Sequence, residues 1–318
     1  MCHQAARRSE QPQPVYCKWS SRWLTAREDS RNAQLATKIV VQLTLATTSR
    51  RKAGAPSWAG SSVPAVLIHE KRRSRPAPGS IPDVLDIFRC EVRFYREIAP
   101  VIGVRVPTCY RAEATDDGTL LELEDLSSWQ PGADPASAAG VLACLHERWP
   151  GEALSRWPWL RRPGAAVDLV AALYNRTWPL IAGRTELGSQ VRDLGERLVG
   201  RVAAAESAAS AAGPLALTHG DASARNMRTG PTAEIALLDW EDVGIAPGLT
   251  DLAWLLVSSV EPDRWDEAIA AYGRAGQLAE VLPAIAVQGL LSMADTAAGS
   301  AGSEGWVARL RSAAVRIG

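Results

Sequence analysis

Hydrophobic and polar positions follow a short period along the first third of the chain and a longer one after it. KIVVQLTL (38–45) and VPAVLIHEK (63–71) are short runs rich in β-branched residues. Gly54, Pro56 and Gly60 between them mark turn-forming chain, so the two runs predict a hairpin. Ser80, Pro82 and Asp83 have the make-up of a helix start. An apolar stripe of Val84, Phe88, Tyr95 and Ile98 carries that helix to about Ala99, where Pro100 follows. VRVPTCYRAEA (104–114) and Thr119–Leu123 then read as two strands around the Asp-Gly turn at Asp117-Gly118.

Beyond Asp125 the pattern becomes helical. Helices are predicted over Ala133–Trp149, Ala165–Ile181 and Leu187–Ala212, with Pro- and Trp-rich loops between them. Leu215–Thr218 and Ile235–Leu238 are brief apolar runs flanking a polar loop, and four further helices start near Thr250, Asp263, Glu280 and Ser303. Strands first and helices afterwards predict an α+β, bilobal architecture. Its parts are an irregular segment over 1–37, a small β-rich lobe over 38–127 and a larger, mainly helical lobe over 128–318. No internal repeat is present.

Composition changes this picture little. A chain of 318 residues, 47% hydrophobic and 22% charged, suits a globular protein of two lobes. Charge balances at 35 against 35 overall, but residues 1–79 carry 14 Lys+Arg against 4 Asp+Glu. Residues 219–318 carry 7 against 13, which suits an anionic cosubstrate on one side and a polar or cationic one on the other. Cys2, Cys17, Cys90, Cys109 and Cys144 are scattered and odd in number, as expected of reduced thiols in a cytoplasmic protein. No apolar stretch follows the basic N-terminus and no run of about 18 apolar residues occurs, so neither a secretory signal nor a membrane partner is expected. The basic run KRRSR (71–75) has no interleaved aromatic residues and reads as a solvated face, not a nucleic-acid patch. Nothing in the sequence fixes the oligomeric state.

The stretch from His219 through Asp221 and Asn226 to Asp239 carries the most specific chemistry. A loop between two short strands presents a carboxylate, a carboxamide five positions on, and a second carboxylate at the end of an apolar strand. Phosphoryl transfer needs that set: one carboxylate orients the attacking hydroxyl and takes its proton, while an amide oxygen and another carboxylate hold Mg²⁺ against nucleotide phosphates. Each residue alone has a plainer reading as part of a polar turn, and Asp251 alone reads equally as a helix cap. In the first lobe Glu91 lies on the apolar stripe between Phe88 and Tyr95, where a carboxylate is costly unless paired. Lys71, placed at the end of the preceding strand, is the obvious partner, with Lys38 as the reserve.

The motif resembles the Brenner-type motif of the aminoglycoside phosphotransferase and choline kinase families, relatives of the protein kinases. That resemblance implies a protein-kinase-like fold with Asp221 as catalytic base, Asn226 and Asp239 as metal ligands and His219 as loop support. GIAPGLTDLAWLL (244–256) is similar to the family's Asp-Leu-Ala segment, which implies that Asp251 braces the catalytic loop. Lys71 and Glu91 look like the pair that fixes the nucleotide phosphates. LELEDL (121–126) is similar to the hinge whose backbone bonds the adenine edge, with Glu124 and Leu126 as the placements. His146 resembles a helical histidine of these families and reads as a core or loop-supporting residue. FRCEVRFYREIAP (88–100) and PGLTDLAWLL (247–256) look closer to an uncharacterised, ecdysteroid-kinase-like branch than to dedicated resistance enzymes.

The implied activity is transfer of the γ-phosphate of ATP or GTP to a hydroxyl of a small-molecule alcohol, with Mg²⁺ as cofactor. The helical segments between 150 and 210 and after 260 are expected to form the acceptor pocket. One departure stands out: no glycine precedes Gly54, so the phosphate-covering turn falls at RNAQLAT (31–37) or nearby. That absence favours an alternative, a non-catalytic kinase-like nucleotide- or ligand-binding protein, which the intact Asp221, Asn226 and Asp239 set disfavours. A metallophosphohydrolase is disfavoured by ligand count, since His3, His69 and His146 lie far in sequence from His219.

Overall fold

The computed structural model describes residues 48–53 and 67–318. The predicted strand 38–45, the turn at 31–37, Lys38 and the predicted segment 1–37 lie outside them. The small lobe is a four-stranded antiparallel sheet of β1 (Thr48–Ala53), β2 (Leu67–Ser74), β3 (Cys109–Ala114) and β4 (Gly118–Glu124), in the order β1-β2-β4-β3. The hairpin partner of β2 is therefore 48–53, a stretch whose polar sequence gave no strand signal.

β2 also runs three residues beyond its expected end, so Lys71 sits inside the strand and not at its terminus. The reason is period two. Lys71 and Arg73 share one face and both meet carboxylates of the large lobe, while Glu70 and Arg72 pair with each other (2.7 Å) on the opposite face. The basic run is thus not simply a solvated face, since Lys71 is buried and Arg73 partly so, while Arg72, Ser74 and Arg75 are exposed.

The helix expected over 80–99 is broken. Ile81–Val84 forms one turn, the left-handed Asp86 (φ 50°) ends it, and the helix resumes at Ile87–Arg93. Aspartate visits that conformation more readily than most residues. The break turns Val84 out to 59% exposure, so it leaves the predicted apolar stripe. A wider π-turn, Phe94–Ile98, follows and keeps Phe94, Tyr95 and Ile98 all buried. The helix Ile87–Arg93 thereby lies beneath the sheet with Glu91 facing β2.

The chain leaves β4 at Glu124 and crosses to the large lobe, where Gln130–Pro131 pairs with Met227–Thr229. There the observed helices Pro135–Arg148, Val167–Ala182, Leu249–Ser259, Trp265–Tyr272, Leu278–Met293 and Ala301–Ile317 lie where the helical period puts them. The predicted helix 187–212 is two, Gly188–Leu198 and Val202–Ala211, because the chain turns at left-handed Gly200 (φ 69°). Leu278–Met293 is apolar on most sides and runs through the core, packed against Val202–Ala211, Ala301–Ile317 and Leu249–Ser259. Two short ladders sit between lobe and core: Leu215–Thr218 with Gly244–Pro247, and Met227–Thr229 with Ile235–Leu237. Among the described residues no helix is long and apolar enough to cross a membrane.

Gly118 starts β4 at φ 147°, and a Cβ there would lie 2.1 Å from the Arg73 carbonyl oxygen. Gly118→Ala is expected to lower stability by about 2 kcal/mol, through strain at the strand that carries Lys71. Gly140, in mid-helix with open space around it, gives the opposite sign: Gly140→Ala raises stability by about 0.5–1 kcal/mol. Thermal unfolding of the two variants checks the pair.

Candidate active site

Strand Leu215–Thr218 is buried by its apolar residues and delivers His219, Gly220 and Asp221 to the cleft. His219 Nδ1 accepts from the Asp221 amide (3.2 Å) and Nε2 faces the Leu238 carbonyl (2.8 Å). Both ring nitrogens are thus spent on backbone groups of the site, which makes the ring a structural strut. Gly220 (φ 84°) packs so close that a Cβ would lie 2.2 Å from the Asp242 carbonyl oxygen.

Asp251 is 1% exposed, in the first turn of its own helix, yet its carboxylate is spent elsewhere. It accepts from the amides of His219 (2.7 Å) and Gly220 (3.0 Å) and from His146 Nε2 (3.1 Å). Burial alone would raise this carboxyl, but the hydrogen bond and charge of His146, with His219 behind it, hold it below its usual value. His146 completes the chain through Nδ1 to the Tyr272 hydroxyl (2.9 Å).

The loop ends with Asp221 and Asn226 locked together. Asn226 Nδ2 donates to both the backbone oxygen and Oδ2 of Asp221, each at 2.9 Å. Its donor end is thereby used, and Oδ1 has no hydrogen-bond partner among the described residues. Trp254 Nε1 donates to Asp221 Oδ1 (2.6 Å), and Arg225 Nη2 to Oδ2 (2.6 Å). The Leu238 amide donates to the Asn226 carbonyl (2.8 Å), which sets Asp239 beside the loop.

Asp239 adopts a left-handed backbone (φ 61°), a strained state for a non-glycine residue, held by the stacking of its neighbour Trp240 on Phe94 (4.1 Å, 8° between planes). Lys71 Nζ lies 2.6 Å from Asp239 Oδ1 and within 2.8 Å of both Glu91 oxygens. Burial works against the ammonium, but Glu91 and Asp239 outweigh it and hold Lys71 above its usual range. Full burial lifts Glu91, and Lys71 offsets part of that lift. For Asp239 burial also pulls upward, and Lys71 with Arg73 overcomes it, so the carboxylate stays ionised. Glu241 is pushed up to about 8, first by burial and then by Asp239. Oxygens of Glu91, Asp239 and Glu241 lie within 4.8 Å of one another. Three carboxylate oxygens so placed are donors of the kind a hard divalent cation takes.

Of the two hinge residues, Glu124 donates its amide to the Thr108 carbonyl (2.8 Å) and its carboxylate holds Arg105 (2.6 Å) and the Thr108 amide. The buried Leu126 accepts from the Trp129 amide (3.0 Å), and its own N–H has no partner among the described residues. Sequence reasoning missed four side chains at the site. Arg73, two residues from Lys71 on the same strand face, pairs with Glu241 (2.5 Å) and lies over the Phe88 ring (4.4 Å). Strand alternation could have found it, and the run Asp239-Trp240-Glu241 could have found Glu241. Arg225 lay unread inside the motif, and Trp254 gave no polar signal at all.

Residues 72–287, more than half of the chain, match the profile of the Phosphotransferase enzyme family. The chain belongs to that family and is an enzyme of the small-molecule kinase class. Among solved structures it is similar to an aminoglycoside phosphotransferase of Streptomyces rimosus in complex with ADP and streptomycin. That match has 16% identity and a TM-score of 0.53, and covers 82% of this chain and 98% of the other. It is also similar to a choline/ethanolamine kinase family protein of Mesorhizobium loti, at 18% identity and a TM-score of 0.50 over 90% and 98% of the two chains. These likenesses bear out the kinase-like bilobal fold. No protein of curated function matches the sequence.

Asp251→Asn is expected to lower stability by about 3 kcal/mol at pH 7, because it breaks a buried charged network. The folded carboxyl lies below its unfolded value, so its contribution is complete above about pH 4 and fades as pH falls through the folded value. The gap in melting temperature between parent and variant should be flat from about pH 5 to 8 and narrow only in stronger acid. A gap that closed near pH 6.5 instead would assign the effect to histidine titration.

Proposed function

We propose that the protein transfers the γ-phosphate of ATP or GTP to a hydroxyl of a small-molecule alcohol. The observation that carries this reading is the joint placement of Asp221, Asn226 and Asp239 on adjoining segments, with Lys71 in contact with the last. Asp221 orients the acceptor hydroxyl and takes its proton. The acceptor oxygen bonds to the γ-phosphorus, the bond from phosphorus to the bridging oxygen breaks, and the nucleoside diphosphate leaves with the electron pair. Trp254 and Asn226 fix the Asp221 carboxylate, so its orientation is set before the acceptor binds. Lys71, held by Glu91, binds the phosphates, and the Leu126 N–H donates to the adenine edge.

Asn226 Oδ1 and Asp239 are the ligands proposed for Mg²⁺, with Glu241 within reach. The metal supplies neutralisation of phosphate charge. The acceptor is assigned to the cleft beside the loop, lined by Arg162, Val170, Glu206, Ser210, Trp254 and Gln288 among others. This is where the helical segments between 150 and 210 and after 260 were expected to contribute.

The test is nucleoside diphosphate release with a panel of small alcohols, parent against Asp221→Ala. Loss of a general base lowers kcat by about 10²–10⁴-fold, with nucleotide affinity retained. Chelation of Mg²⁺ abolishes turnover and its return restores it. Equal rates for parent and variant on every acceptor would sink the proposal.

A further inference from the structure

Helix Val202–Ala211 has the sequence VAAAESAASA, and Glu206 is its one charged residue. Glu206 is half-buried and lines the cleft beside the loop from His219 to Asn226. The Ser210 hydroxyl donates to its backbone oxygen (2.7 Å), but its carboxylate has no partner among the described residues. Burial lifts this carboxyl above its ordinary value, and no neighbouring charge offsets the lift. A half-buried acid without a partner costs stability, so the fold itself supplies no reason for it.

The other ionisable groups of the cleft are committed elsewhere or stand in solvent. Arg161 donates to Asp242 (2.8 Å), Asp251 holds the loop amides, and Arg162 is exposed. The Thr250 hydroxyl is spent on the Pro247 carbonyl (2.8 Å). Val167, Val170, Ile245 and Ile285 supply apolar wall around a volume of about 230 Å³. Trp254 joins this cleft to the proposed base: it lines the cleft while its indole N–H sits on Asp221 Oδ1 (2.6 Å). The cleft therefore offers one unmatched acid among apolar walls, next to Asp221.

We infer that Glu206 selects the acceptor by taking the ammonium of a compact amino alcohol, one that carries a single amine and an apolar spacer before its reacting hydroxyl. The inference deepens the phosphotransfer reading above and rests on it. An ammonium brings the charge and the N–H donors that the fold withholds from Glu206, and such a charge-assisted hydrogen bond is among the strong ones. The apolar walls take the spacer, as in most small-molecule sites, where a few polar groups fix orientation. The number of acids sets the number of amines: a second ammonium would be desolvated in the same cleft without a partner. Glu206 stands away from the reacting atoms, so the chemistry stays as written above and Glu206 decides which alcohol reaches it.

The experiment compares acceptors of equal length. The probes are linear amino alcohols of three to six carbons, each against the diol of the same length. Nucleoside diphosphate release is read with ATP or GTP and Mg²⁺. The proteins are the full-length parent, Glu206→Gln and Glu206→Asp. The parent should use at least one amino alcohol with kcat/KM about 10- to 100-fold above that of its diol. Glu206→Gln should lower that amino alcohol to the level of the diol, while the diol rate and the melting temperature stay at or above those of the parent. Glu206→Asp withdraws the carboxylate by one methylene and should move the preference to an amino alcohol one carbon longer. A purely structural role would not shift the preferred length. Equal use of amino alcohols and diols by the parent, or a preference that survives in Glu206→Gln, overturns the inference and leaves phosphotransfer standing. A Glu206→Gln protein that melts lower and loses the diol rate too assigns Glu206 to the fold, and the inference falls. If the parent turns over none of the probes the inference also falls, and calorimetric titration with ADP and Mg²⁺ then decides the phosphotransfer reading separately: no ADP binding removes it as well.

Discussion

The Lys71 ammonium is the contact on which the arrangement turns. It is buried between Glu91, on the helix under the sheet, and Asp239, on the large lobe. One cation therefore ties strand, helix and opposite lobe at a single point. An unpaired ammonium at that depth would be strongly disfavoured, and so would either carboxylate alone. The three groups are tolerable only together. This explains the broken helix before Glu91: with the chain interrupted at Asp86 and widened after Arg93, Glu91 meets Lys71 while Phe94 still stacks on Trp240.

The large lobe holds its half of the site by a second buried charge. Asp251 orders the amides at the start of the catalytic loop, and His146 anchors it from the helix Pro135–Arg148. The loop's polar backbone is thereby satisfied inside the fold instead of by water. The far end of the loop carries Asp221 and Asn226, bonded to each other. Support of this kind holds polar groups in fixed positions, as the positional catalysis proposed above requires.

Much of this was legible in the sequence, and the parts that were not share a cause. The spacing from His219 to Asp239 and the helical period after residue 125 express local chemistry, so they read directly from the chain. The strand at 48–53 does not, because its hydrogen bonds to β2 form regardless of its polar side chains. The extension of β2 through Arg73 was hidden for a related reason. A basic run looks solvated until the carboxylates that neutralise it are known, and Glu241 lies far away in sequence. Trp254 was unreadable because an indole among apolar helix residues carries no sign that its N–H meets Asp221.

The charges of the cleft obey one further constraint. Lys71, Arg73 and Arg225 face Glu91, Asp239, Glu241 and Asp221, and each cation already rests on an acid. An anionic ligand entering such a site cannot simply add to it, because each cation it recruits strips an acid of its partner. On the phosphotransfer reading proposed above, a polyphosphate arriving with a divalent cation would escape this conflict, since Asp239 and Glu241 would hold the cation and it would supply the charge that the phosphates withdraw. A bare anion must instead leave Asp239 and Glu241 crowded and unpaired at low dielectric. On that reading, the paired resting state would favour a metal-bound polyphosphate over a free one.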